Sequence, residues 1–179
     1  MQLLHGEIKQ KKILMNLDNL PIIAAILKRG ILPDGTIVII VRVPRTRSPH
    51  EAIIATGKTA YLAERLVANM PRGEGEEKKI IFFKLKRSEY THDGFTKSDG
   101  LEKAYARRSL KPDPIAQLAV NEADPMFADT YPNGSQWTDS EGQKAYIKFR
   151  CWSGTRNVEV DTNDEHSWLK GIYFAGVEH

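Results

Sequence analysis

Apolar and polar residues alternate most cleanly over KKIIFFKLKR (78–87), where a period of two predicts a strand. GQKAYIKFRCW (142–152) repeats the pattern, and RNVEVD (156–161) and SWLKGIYFAGV (167–177) also read as strands. TIVIIVRV (36–43) is apolar almost throughout, as in a strand buried on both faces, and follows a turn at Pro33-Asp34-Gly35. Residues 6–15 alternate as a further strand, and AIIAT (52–56) as a short one. Helices are predicted in four places. One runs from a cap at Asp18 or Asn19, with Pro21 in its first turn and Lys28-Arg29 in its last, to Gly30. A second opens at Thr59 and closes before Pro71. The third covers 101–110 with Asp99 as its cap, and the fourth covers 115–123. Residues 124–142 keep no period and read as a long irregular connection, a feature that in compact domains usually carries function or mobility.

This order predicts an α+β fold: a mixed, largely antiparallel sheet with a few helices and one long irregular connection. The 179 residues fit a single domain over 1–179, with 124–142 as its mobile segment. A hydrophobic content of 41% is enough for a core without staples, and the sole cysteine, Cys151, excludes an intrachain disulfide or a thiolate zinc site. Cys151, on the inward-pointing set of its strand, reads as a buried thiol. No leader-like or membrane-spanning apolar run is present, so a cytoplasmic protein without a membrane partner is expected.

Catalytic patterns fail one by one. ATGKT (55–59) ends like a phosphate-binding loop, but the first glycine of that motif would fall on Ala52, and Ile53 and Ile54 are bulky where backbone must wrap phosphate. His5, His50, His92, His166 and His179 form no spaced pair. The carboxylates at Glu74, Glu76 and Glu77, and at Asp161, Asp164 and Glu165, sit in turn-like sequence and read as solvated loops. No enzyme, cofactor or metal site is therefore expected.

The surviving pattern joins basic and aromatic residues on strand faces. In 78–87, Lys79, Ile81, Phe83, Leu85 and Arg87 share one face; Lys78, Ile80, Phe82, Lys84 and Lys86 share the other, read as half exposed. In 142–152, Ala145, Ile147, Phe149 and Cys151 point inward, while Lys144, Tyr146, Lys148 and Arg150 point outward. Cations about 6–7 Å apart along a strand can follow successive phosphates, and an intervening ring can stack an unpaired base. Arg45, Arg47 and Arg72, on loops at strand ends, extend the track. Duplex DNA would ask for a basic recognition helix, and Arg107-Arg108 lack a helix-turn-helix partner. Exposed lysines also protect sheet edges, and cross-strand aromatic pairs also stabilise sheets, so the same pattern has a purely structural reading. The net charge of +3 does not choose between them.

With its two basic-aromatic strands, KKIIFFKLKR and AYIKFRCW, around an irregular helical middle, and with no standard RRM or OB module, the chain resembles the single-stranded DNA-binding RNA polymerase cofactors of N4-like bacteriophages. The likeness is global and rests on no short motif. It implies single-stranded DNA as ligand, a phage-encoded RNA polymerase as partner, and the host cytoplasm as the place of action. A second copy of the chain is a further partner to consider. The alternative from a different class is a host-takeover or adaptor protein, with Met126, Phe127, Tyr131 and Trp137 of the irregular segment as its anchors.

Overall fold

A computed structural model describes residues 22–91, 94–162 and 168–179, without the side chain of Phe95. The strand expected at 6–15, the start of the first helix, and His5, His92, Asp164, Glu165 and His166 lie outside the described residues.

The fold is α+β, with 26% helix and 39% strand. In chain order the strands are β1 Ala25–Ile31, β2 Ile37–Arg42, β3 Thr59–Leu62, β4 Glu77–Phe83, β5 Phe95–Thr96, β6 Leu110–Lys111, β7 Asn133–Thr138, β8 Lys144–Trp152, β9 Thr155–Thr162, β10 Trp168–Leu169 and β11 Tyr173–Glu178. The helices are α1 Pro49–Ala55, α2 Glu64–Ala68, α3 Ser98–Arg107, α4 Pro114–Ala123 and α5 Phe127–Thr130. Nine strands form one sheet in the order β1-β2-β4-β11-β7-β8-β9-β3, with β6 also on β11, while β5 and β10 pair separately. Two ladders, β11 with β7 and β3 with β9, are parallel, and the rest described are antiparallel. This arrangement is neither the four-stranded sheet of an RRM nor the five-stranded barrel of an OB-fold.

Four local expectations give way to tertiary pairing. Within the described part of the helix expected over 18–30, strand β1 begins at Ala25 instead, because Asp34 and Gly35 (φ +82°) close a hairpin that lays it along β2. Residues 52–55 are helical and Thr56 is the C-cap, since Ser48 and Glu51 form a reciprocal capping box with Pro49 at the first position of α1. The helix expected from Thr59 begins only at Glu64, because Thr59–Leu62 add to β9 as an edge strand. The irregular 124–142 segment holds α5 and β7, and β7 lies inside the sheet between β11 and β8.

Helices α1, α2, α4 and α5 cover one sheet face. Beneath them Ile37, Ile39, Val41, Ile80, Phe82, Ile147, Phe149, Val158, Val160, Ala175 and Val177 form the main core. A second layer, made by Leu101, Ala104 and Tyr105 of α3 with Leu85, Leu110 and Trp168, covers the middle of the opposite face over Phe83, Tyr146 and Phe174. Strand β4 is therefore buried on both faces at Phe82 and Phe83.

A fully buried polar set ties α4 to β7. Asp113 caps α4 by accepting from the Ala116 N–H, and Gln117 and Asn121 then fall one turn apart. Gln117 Nε2 donates to Asn133 Oδ1 at 2.8 Å, Asn121 Nδ2 donates to the same oxygen at 3.1 Å, and Ser135 Oγ donates to Gln117 Oε1 at 2.6 Å. All four side chains are sealed from solvent, so each lost partner leaves a desolvated group behind. Gln117→Leu should destabilise the protein by about 1–3 kcal/mol. Adding Ser135→Ala should recover part of that loss, because the orphaned hydroxyl goes with it; urea unfolding of the single and double variants measures both.

Candidate nucleic-acid interface

Strand β4 ends at Phe83, and the chain then runs through Lys84 and Lys86 into a 3₁₀ turn at Arg87–Glu89. Helix α3 ends beside it with Arg107 and Arg108. The two segments and the β1–β2 turn enclose an open cleft of about 870 Å³, lined by Asp34, Thr36, Phe83, Lys84, Leu85, Lys86, Ser88, Glu89, Arg107 and Arg108. Lys84 and Lys86 thus come together, and they are joined by the arginine pair that had been set aside for want of a helix-turn-helix partner.

Glu89 organises the cleft wall. It accepts two bonds from Arg108, at 3.0 Å each, and one from Arg107, while its Oε2 also takes the Lys86 N–H at 2.6 Å. Burial works to raise the Glu89 carboxyl, but the hydrogen bonds from Arg108, Arg107 and the Lys86 backbone outweigh it and lower it from 4.5 to about 2. Arg108 is further held 4.4 Å above the Phe83 ring, and Lys84 lies 4.5 Å from the centre of the Tyr173 ring. Arg107, 54% exposed, is more open to solvent than Arg108 at 22%. The Asp34 carboxyl is lowered by the Thr36 backbone and side-chain hydrogen bonds, and so adds a second negative charge to the rim. Four cations against two carboxylates leave the cleft basic.

Apart from Lys78, the remaining expected residues separate into three groups. Phe82 does not face solvent: it is 0% exposed and packs edge-on against Phe127 at 4.9 Å, because α4 and α5 cover the face that had been read as open. Arg45, Arg47 and Arg72 form a clamp rather than a track. Arg45 makes a two-point contact with Asp113 at 2.6 and 2.9 Å, Arg47 contacts Glu122 at 2.7 and 2.8 Å, and Arg72 donates to the carbonyls of Arg45 and Arg47. Lys78, half-buried on β4, stands opposite Val41 and outside the cleft. Lys58 of the look-alike phosphate loop is likewise structural, donating to the carbonyls of Asn121 and Pro125.

The third group lies on β8. Lys144, Tyr146, Lys148 and Arg150 do share the face away from the main core, as expected, but not all are open. Tyr146 is buried under Trp168, with ring centres 5.5 Å apart, and its hydroxyl donates to Glu159 at 2.7 Å. Burial, then that hydrogen bond, raises its pKa. Lys144 is paired with Glu102. Half-buried Lys148 lies 4.6 Å from the Tyr146 ring centre and 5.2 Å from that of Trp168, and burial lowers its pKa. Arg150 sits over the exposed ring of Trp152 at 5.5 Å. Trp152 was legible, since 144, 146, 148, 150 and 152 are one period-two series. Cys151 is exposed rather than buried, because the core ends at Phe149.

The adaptor anchors fare no better than Phe82. Phe127 and Trp137 are buried and Tyr131 is packed against the core, leaving Met126 as the exposed member. Among the described residues no helix is long and apolar enough to cross a membrane, and no group of three or more His, Cys, Asp or Glu side chains is placed to hold a metal ion. Comparison with known proteins finds no matching family model, curated protein or solved structure.

Because the Glu89 carboxyl lies below its ordinary value of 4.5, its stabilisation is complete above about pH 4.5 and is lost as pH falls towards about 2. Glu89→Gln should therefore be less stable than the parent chain at neutral pH. The gap should close across that acid window, as read from urea midpoints at a series of pH values.

Proposed function

We propose that this protein binds single-stranded DNA with little sequence preference, gripping phosphates in the cleft between β4 and α3. The observation that carries the reading is the convergence of Lys84, Lys86, Arg107 and Arg108 on one open cleft, with the arginine pair held in place by Glu89. Guanidinium groups fixed in orientation suit phosphate oxygens, and two neighbouring lysines add point charges along the same path. A single strand fits the reading better than a duplex. The outward side of α3 mixes Lys103 and Arg107 with Glu102, and its apolar side is buried on the sheet, so it does not present the basic face of a recognition helix. A role beside a phage RNA polymerase rests on the family resemblance alone, and co-purification of a polymerase after nuclease treatment is its test.

Fluorescence anisotropy with labelled oligo-dT should show binding that weakens steeply with salt. Four phosphate contacts correspond to a slope of about −3 in log K against log salt, at about −0.7 per contact. Lys84→Ala with Lys86→Ala should lower that slope by about 1.4 units, and Arg107→Glu should weaken binding further. Duplex of the same sequence should compete poorly. No binding by the parent chain at low salt would end the proposal.

A further inference from the structure

The sheet face that carries the cleft continues beyond the second layer to the strands β8, β9 and β3. Register links the two ends in one row: Phe83 stands beside Phe174, then come Gly134, Lys148, Glu159 and Tyr61. Alternation puts Tyr61, Glu159, Lys148, Arg150 and Trp152 on the same side, since Leu62, Val158, Val160 and Phe149 point into or pack on the main core. At this end two rings stand open among the described residues: Tyr61 is 60% and Trp152 66% exposed. Exposed rings beside a cation offer flat apolar area on which a ligand can stack.

We infer that this outer face of β8, β9 and β3 is a stacking platform for unpaired bases, with Trp152 and Tyr61 as the rings and Arg150 beside Trp152. The inference rests on the proposed binding of single-stranded DNA and supplies the base contacts that the cleft, whose ring Phe83 is buried, does not provide. The chemistry at the site favours this occupant over an apolar protein segment. Arg150 lies over Trp152 and 3.6 Å from Glu159, so its charge sits where a phosphate next to a stacked base would pass. Arg150 Nε is buried and without a hydrogen-bond partner among the described residues, which leaves this guanidinium incompletely satisfied by the protein. Glu159 is itself occupied by the Tyr146 hydroxyl and Arg150. From Phe83 to Tyr61 the row crosses five strand spacings, about 24 Å, a length that one oligonucleotide can span.

The chain supplies its own probe. Of its three tryptophans, Trp137 and Trp168 are buried and Trp152 is exposed, so quenching by added oligonucleotide reports on the platform. Oligo-dT should quench the emission of the full chain, while an abasic oligomer of equal length should bind through phosphates with little quenching. Trp152→Ala should bind oligo-dT about tenfold more weakly with its salt slope retained, Tyr61→Ala should also weaken binding, and Trp152→Phe should keep most of the affinity. Both rings are exposed, so unchanged thermal unfolding would show that the fold is intact. Oligo-dT binding with unquenched emission and full affinity in Trp152→Ala overturns the platform, while a continued loss of binding in Arg107→Glu leaves the cleft standing. An emission change that depends on protein concentration without oligonucleotide assigns the face to a second copy instead and overturns the inference. Absence of any binding by the parent chain removes both readings.

Discussion

Strand β7 has a sequence, NGSQWT, that few interior strands would share, and its place inside the sheet depends on hydrogen bonds rather than on apolar contact alone. Gln117 and Asn121 of α4 meet Asn133, Gln117 also meets Ser135, and this closed polar set selects one register of α4 over the strand. A one-residue slip would turn Asn133 and Ser135 to the opposite face and leave the amides of α4 unpaired. With that register set, Gly134 points to the other side, where a Cβ would lie 2.8 Å from the Trp168 ring. The absent side chain is what lets Trp168 pack closely against the strand, meet Tyr146 and Phe174 edge-on, and carry the second layer. The polar set on one face and the bare glycine on the other are two consequences of the same placement.

Much of the sheet was legible because period two survives in β4, β8 and β9, and α4 was legible from its apolar run and cap. What could not be read was how many layers cover each face. In β4 the alternation separates Phe82 from Phe83 correctly, yet both are buried, because α5 closes one side and α3 the other. Lysines at the ends of such a strand mark where the cover stops, not which face is open. β7 escaped for the opposite reason: its burial is polar, and periodicity counts only apolar residues. β1 was misread as a helix because its cap signals and proline compete with a hairpin partner that only the fold supplies.

The same limit governs the charges. Arg45, Arg47 and Arg72 looked like a track because they stand on loops at strand ends, but each finds a carboxylate or carbonyl far away in sequence. Asp113 serves twice, capping α4 and holding Arg45, and Gly73 has no room for a Cβ against that carboxylate. Arg107 and Arg108 look superficially similar, since Glu89 holds both. The difference is geometric. The Arg45 pair is closed over by backbone on several sides, whereas the Glu89 fork leaves its arginines at the edge of an open cleft, where further acceptors can reach them.

In the proposed function, cleft and platform would divide the chemistry of a polynucleotide between them. Phosphate recognition asks for cations that are oriented but not consumed, which suits the end of a helix braced by one buried carboxylate. Base recognition without sequence preference asks for flat apolar area in water, which suits an uncovered sheet face beyond the second layer. Tyr105 and Trp168 cannot serve the second purpose, because their burial is what holds α3, and hence Arg107 and Arg108, against the sheet. The rings available to a ligand are therefore those the second layer fails to reach. That boundary is set by where Lys148 packs over the edge of Trp168, so the residue that ends the cover also begins the exposed basic-aromatic face.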